Sequence, residues 1–92
     1  MKALAEIQVV PIGAGVSVRT EVMRAHALLK ESGLAVQLHA YGTNVEGELA
    51  TILDAIRTVH ETLHAEGVTR LSTAVKIGTR TDKDVSLQAK LS

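Results

Sequence analysis

At 92 residues with 46% hydrophobic side chains, the chain is long enough for one domain with its own core and too short for two. Ten basic side chains cancel ten acidic ones, which argues against nucleic acid as the main partner, because phosphate binding calls for a basic stripe. With no cysteine there is no disulfide, zinc–thiolate site or thiol nucleophile to consider.

Residues 3–10, ALAEIQVV, alternate with a period of two. Ala3, Ala5, Ile7 and Val9 fall on one side; Leu4, Glu6, Gln8 and Val10 fall on the other, as in a strand with one face in a core. Pro11 and Gly13 end the strand, and GAG makes a loop. Ser17 is a candidate N-cap for a helix carrying Val18, Val22, Ala25 and Leu29 on one stripe, with Arg19, Arg24 and Lys30 off it. Gly33 stops that helix and releases the chain into a second strand. There Leu34, Val36 and Leu38 take one face and Gln37 and His39 the other. YGTN reads as a turn, and residues 43–47 as a short third strand. A second helix follows, with Leu49, Ile52, Leu53, Ile56, Val59, His60 and Leu63 on one stripe, closed by AEGV. Residues 70–78, RLSTAVKIG, alternate again as a fourth strand. A charged tail, TRTDKD, leads to residues 84–91, which can form a short helix.

The order β-α-β-β-α-β, with two strand-plus-helix units of this length, predicts an α+β ferredoxin-like sandwich over residues 1–92. That fold has an antiparallel sheet in the order 4-1-3-2 with both helices on one face. The core must be aliphatic, since Tyr41 is the one aromatic residue. A chain this short gains stability by association, so a homo-oligomer is expected. The N-terminal apolar run contains Glu6 and is too short and broken for a signal peptide, and no stretch approaches a membrane span. Together with the missing cysteines, this fits a cytoplasmic protein.

If the helices cover one sheet face, alternation says what lies on the other. It carries Leu4, Glu6, Gln8 and Val10; Gln37 and His39; Asn44 and Glu46; and Ser72, Ala74 and Lys76. Strands one and three are neighbours in this fold, so Glu6, Gln8, Asn44 and Glu46 cluster, with Lys76 beside them. A solvated face is the plain explanation. Two features weigh against it. Leu4, Val10 and Ala74 interrupt the polar set, and Glu6 and Glu46 are close like charges that call for a donor, a cation or a proton between them. A polar, partly cationic ligand would meet those terms.

Other constellations carry less. His60 and His64 have a spacing that can bind metal, but no carboxylate pair is arranged to complete a site. His26 falls on the solvated side of the first helix. GAGVS precedes a helix N-terminus and could hold an anion, yet it lacks the full Gly-rich phosphate pattern. Lys76 and Arg80 could meet a negative group, or pair with Glu6 or Asp82, though a solvated strand end is the plainer explanation. Glu46 with His39 could in principle do acid–base chemistry, though no nucleophile, metal set or cofactor loop accompanies them.

The segments VVPIGAGVS, ESGL, GTNVEGE and VKIGTRTDK, in this order and spacing, resemble the small thiamine-binding proteins of the YkoF-like superfamily. The most specific element is G-T-x-x-E-G before a long amphipathic helix. The resemblance implies a ferredoxin-like fold, assembly through sheets into dimers or tetramers, and binding of thiamine or its hydroxymethylpyrimidine part. It implies no catalytic residue and no cofactor beyond thiamine as ligand. It places the family motif on Pro11 and Gly13, on Thr43, Glu46 and Gly47, and on Lys76 and Arg80. Position 44, usually apolar in that pattern, is Asn44 here, which adds a hydrogen-bonding group. With so few aromatics, stacking on a ligand ring would rest on Tyr41 or His39.

Two functions from different classes therefore stand side by side. One is non-catalytic binding of thiamine or a related pyrimidine by Gln8, Asn44, Glu46 and the motif residues, on the open face and near a subunit interface. The other is an oligomeric structural or regulatory module with no small-molecule ligand, in which the same face is only an interface.

Overall fold

A computed structural model describes residues 1–13 and 19–83. The elements are β1 (Lys2–Pro11), α1 (Arg19–Glu31), β2 (Ala35–His39), β3 (Gly42–Glu48), α2 (Leu49–Ala65) and β4 (Leu71–Thr79). The sheet order is β2-β3-β1-β4, all antiparallel, which is the ferredoxin-like order the element sequence predicts, read from the other edge. The Ser17 cap and the helix at 84–91 lie outside the described residues.

Alternation in β1 sets the layers. Ala3, Ala5, Ile7 and Val9 are buried beneath the helices, together with Val45 of β3. From α1 come Ala25, Leu28 and Leu29; from α2 come Ile52, Ala55, Val59 and Leu63. The α2 residues recur every three or four positions, so one stripe of the helix faces the core. Leu53, expected on that stripe, is 52% exposed. The buried line runs through Ala55 instead, because the helix packs against α1 as well as the sheet.

The ends of the helices are tied to the strands. Gly33, at φ +89°, ends α1, and its N–H donates to the Lys30 carbonyl. Glu48 precedes α2 and makes no side-chain cap to it. Its carboxylate instead takes the Met1 ammonium at 2.8 Å, while the Met1 carbonyl accepts the Leu49 N–H at 2.8 Å. That backbone bond satisfies one of the orphan donors of the helix start.

Strand β1 continues through Pro11, one residue past the expected stop. Its neighbour Ile12 donates its N–H to the Arg70 carbonyl, toward β4. Successive residues point their backbone groups to opposite sides, so the nitrogen of Pro11 faces away from β4. The β3 ladder on that side ends at the Ile7–Thr43 pair, so the missing donor costs no ladder bond.

Candidate functional site

The uncovered face is built from residues that stand opposite one another across the strands. One line crosses the whole sheet: Gln37 of β2, Asn44 of β3, Glu6 of β1 and Lys76 of β4. Beside it run Ala35, Glu46, Leu4 and Gly78. Residues directly opposite share a face, so this is the polar set that alternation in the strands predicts. Val45, between Asn44 and Glu46, is fully buried on the helix side. Glu6 and Glu46 are diagonal neighbours, because Asn44 stands opposite Glu6 and Leu4 opposite Glu46. Among the described residues, the polar contact of the Glu6 carboxylate goes to neither Lys76 nor any other lysine or arginine. It goes to His39, whose Nε2 lies 3.5 Å from Glu6 Oε2. Glu46 stands opposite Ala35, four residues along β2 from His39, so the register does not set those two side by side.

A cavity of about 220 Å³ lies at the end of the β2–β3 hairpin. It exists because β1 outruns the hairpin: β3 pairs with β1 only as far as Ile7, while β4 follows β1 to Pro11. Apolar side chains of Ile7, Val9, Val22, Ala25 and Leu29 form much of its wall. Gln8, His39, Tyr41 and Thr43 also line it. The backbone of Val9 has the same orientation as that of Pro11, so its amide and carbonyl face the side on which β3 has ended. Gln8 and His39 belong both to this cavity and to the uncovered face, so the two surfaces meet there.

Two glycines of the GTNVEG stretch fit this arrangement. A Cβ on Gly42 would sit 2.6 Å from the Ile7 carbonyl oxygen, so the hairpin approaches β1 too closely for a side chain. A Cβ on Gly47 would sit 2.5 Å from Leu34 Cδ2, and Leu34 is buried. The stretch is therefore conditioned by packing at both ends and presents Asn44 and Glu46 between them.

The sequence-predicted site residues do not all converge. Gln8 and Thr43 line the cavity, but Thr43 is 5% exposed and points to the helix side, not the open face. The register makes this unavoidable, since Thr43 pairs with Ile7. Asn44, Glu46 and Lys76 share the open face. Pro11 is buried at the far end of β1, opposite Leu71, and Gly13 lies beyond it. Gly13 borders a separate, larger cleft of about 320 Å³ that also contains Glu21 and Glu66. Two carboxylates are the wrong charge for the anion suggested by GAGVS, whose residues 14–17 lie outside the described ones. Arg80 follows β4 and is committed to Asp82, through Nε to Oδ1 at 2.6 Å and Nη2 to Oδ2 at 2.5 Å. This pair raises the Arg80 pKa and lowers that of Asp82.

The histidines of α2 are occupied structurally. His60 Nε2 is 2.7 Å from Thr73 Oγ1, and His64 Nδ1 donates to the Val68 carbonyl at 2.7 Å. Among the described residues no group of three or more His, Cys, Asp or Glu is placed to hold a metal ion. His26, expected on the solvated side of α1, is intermediate in burial, and its Nδ1 is shielded without a hydrogen-bond partner among the described residues. No helix among the described residues is long and apolar enough to cross a membrane.

The profile of the thiamine-binding protein family matches residues 5–92. The chain belongs to the thiamine-binding protein family. Within this family it is 38% identical over 91 residues to a UPF0045 protein of Synechocystis sp., covering 99% of this chain and 75% of that one. Among solved structures, the hypothetical protein MJ1052 of Methanocaldococcus jannaschii superposes with a TM-score of 0.90 at 37% identity, covering 98% of this chain and 92% of that one. A Thermotoga maritima protein, a candidate only for thiamine biosynthesis or salvage, has the same fold, with a TM-score of 0.88 at 21% identity, covering 99% of this chain and 96% of that one.

Proposed function

We propose that the protein binds thiamine, or the hydroxymethylpyrimidine part of it, where the hairpin-end cavity meets the uncovered sheet face. The observation that carries this reading is the junction itself. A small apolar cavity shares Gln8 and His39 with a polar surface holding two carboxylates. Its volume of about 220 Å³ is below the roughly 300–1,000 Å³ typical of pockets that bury a drug-sized ligand. It suits one heteroaromatic ring, leaving the rest of the ligand on the open face. There the permanent charge of a thiazolium ring would meet Glu46, and Gln8 and Asn44 offer both donors and acceptors to ring nitrogens and amino groups.

In this reading Gln8, Thr43, Asn44, Glu46 and Lys76 form the contact set. Thr43 and the Val9 backbone serve the buried ring. Lys76 serves the exposed end, where it would also accept a phosphorylated form. Pro11 and Gly13 shape the end of β1, and Arg80 is held by Asp82, so none of these three is assigned a ligand contact. The role is binding without turnover, in the cytoplasm, by a single domain spanning the chain.

The second reading, an association module, has its own support. Val75 and Ile77 on the edge strand β4 are 40% and 37% exposed. An apolar edge strand invites pairing with a second copy, and we infer that the protein assembles into dimers or tetramers through its sheets. Calorimetric titration of thiamine and of hydroxymethylpyrimidine into the folded protein tests the binding role. Saturable heat is expected, and Glu46→Ala or Asn44→Ala should abolish it. A wild type that binds neither at millimolar concentration overturns the binding role. Light scattering with and without ligand then tests whether association alone remains.

A further inference from the structure

A histidine and a carboxylate outside the family motif are linked across three strands. His39 pairs with Gly42 across the hairpin, and its ring reaches from β2 past β3 to Glu6 on β1. Its Nδ1 accepts the backbone N–H of Tyr41 at 3.2 Å. With that nitrogen acting as acceptor, a neutral ring carries its proton on Nε2. Nε2 is shielded from solvent and has no hydrogen-bond partner among the described residues, while Glu6 Oε2 lies 3.5 Å away. A buried donor left unmade is costly, and a small rotation of the exposed Glu6 side chain closes the bond.

Glu6 also faces Asn44 on β3 and Lys76 on β4, with Glu46 diagonal to it. With that bond closed, one carboxylate oxygen is oriented by His39 and the other is available to a donor from outside. Resting on the binding role above, we propose that Glu6 accepts the amino group of an aminopyrimidine ligand and that His39 is its positioning residue. The Tyr41 N–H fixes the tautomer that presents Nε2–H to Glu6, and Tyr41 also borders the cavity. The class of ligand selected is a heteroaromatic ring bearing an exocyclic amine.

Two substitutions separate the two ends of the imidazole. His39→Gln keeps a donor near the Nε2 position and loses the acceptor for Tyr41. His39→Asn keeps an acceptor near Nδ1 and loses the donor to Glu6. Titration of thiamine should show affinity falling roughly tenfold or more for Glu6→Gln and His39→Asn, the cost of one charge-assisted hydrogen bond, and within about threefold of wild type for His39→Gln. The double variant Glu6→Gln/His39→Asn should bind no more weakly than Glu6→Gln alone. Equal loss in both His39 variants, or none in His39→Asn, overturns the assignment. In the free protein, long-range proton–nitrogen correlation of the neutral ring should show the Nε2–H tautomer, and the Nδ1–H tautomer overturns the relay. A wild type that binds no thiamine defeats the binding role and the ligand contact of Glu6 with it. The tautomer still decides the relay in that case.

Discussion

Leu34 packs onto the backbone of Gly47, leaving no space for even a methyl group between them: an ideal Cβ at position 47 would lie 2.5 Å from Leu34 Cδ2. The contact joins the segment leaving α1 to the end of β3. Gly47→Ala should destabilise the protein by about 1–3 kcal/mol, because Leu34 is buried and must leave its rotamer or shift the strand. Urea unfolding checks this. A lowered midpoint with unchanged slope is the expected outcome.

Ile52 is fully buried, whereas Leu53 is 52% exposed. Ile52→Ala should cost about 2–5 kcal/mol, from lost transfer energy plus a cavity. Leu53→Ala should change stability by less than about 0.5 kcal/mol. Thermal or urea melts of the two variants at one protein concentration distinguish the residues directly.

Much of this architecture is legible in the order of residues. Period-two alternation in β1 separates Ile7 from Glu6 and Gln8, and the same rule puts Val45 inside and Asn44 and Glu46 outside. What is not legible depends on how far each strand extends. Nothing local says that β3 stops pairing at Ile7 while β4 continues to Pro11, yet that mismatch makes the cavity. Thr43 reads as a turn residue, and only its register with Ile7 turns it inward. Leu53 fits the apolar spacing of α2, but the packing of that helix on α1 rotates it outward. The reach of His39 to Glu6 is a property of three strands at once.

Acid should weaken the fold through three exposed carboxylates. The Arg24 guanidinium holds the Glu66 carboxyl below its ordinary 4.5, first through their hydrogen bonds. The Met1 ammonium does the same for Glu48, and Arg80 lowers Asp82 from 3.8. A carboxyl whose pKa is lower in the folded state contributes stability that is present above its unfolded value and lost as pH falls through its folded value. Melting temperature should therefore be level from pH 7 to about 5 with respect to these groups and decline below about 4.5. Glu66→Gln should flatten part of that decline. Because all three groups are exposed, added salt should shrink the difference.

Association should depend on the exposed apolar side chains of β4. Ile77→Lys places a charge on an edge strand, a device that discourages strand-to-strand pairing. Its mass by light scattering should fall below that of the wild type, with the far-ultraviolet circular dichroism unchanged.

Ligand is expected to bind where the hairpin-end cavity meets the Gln37–Asn44–Glu6–Lys76 line. The most direct measurement is the map of backbone amide shifts as thiamine is added to the folded, isotope-labelled protein. Saturable shifts are expected, centred on Gln8, Val9, Thr43 and Asn44 and extending to Glu6 and Glu46. Shifts confined to the outer surfaces of α2 and β4, or none at millimolar thiamine, would rule out binding at this junction.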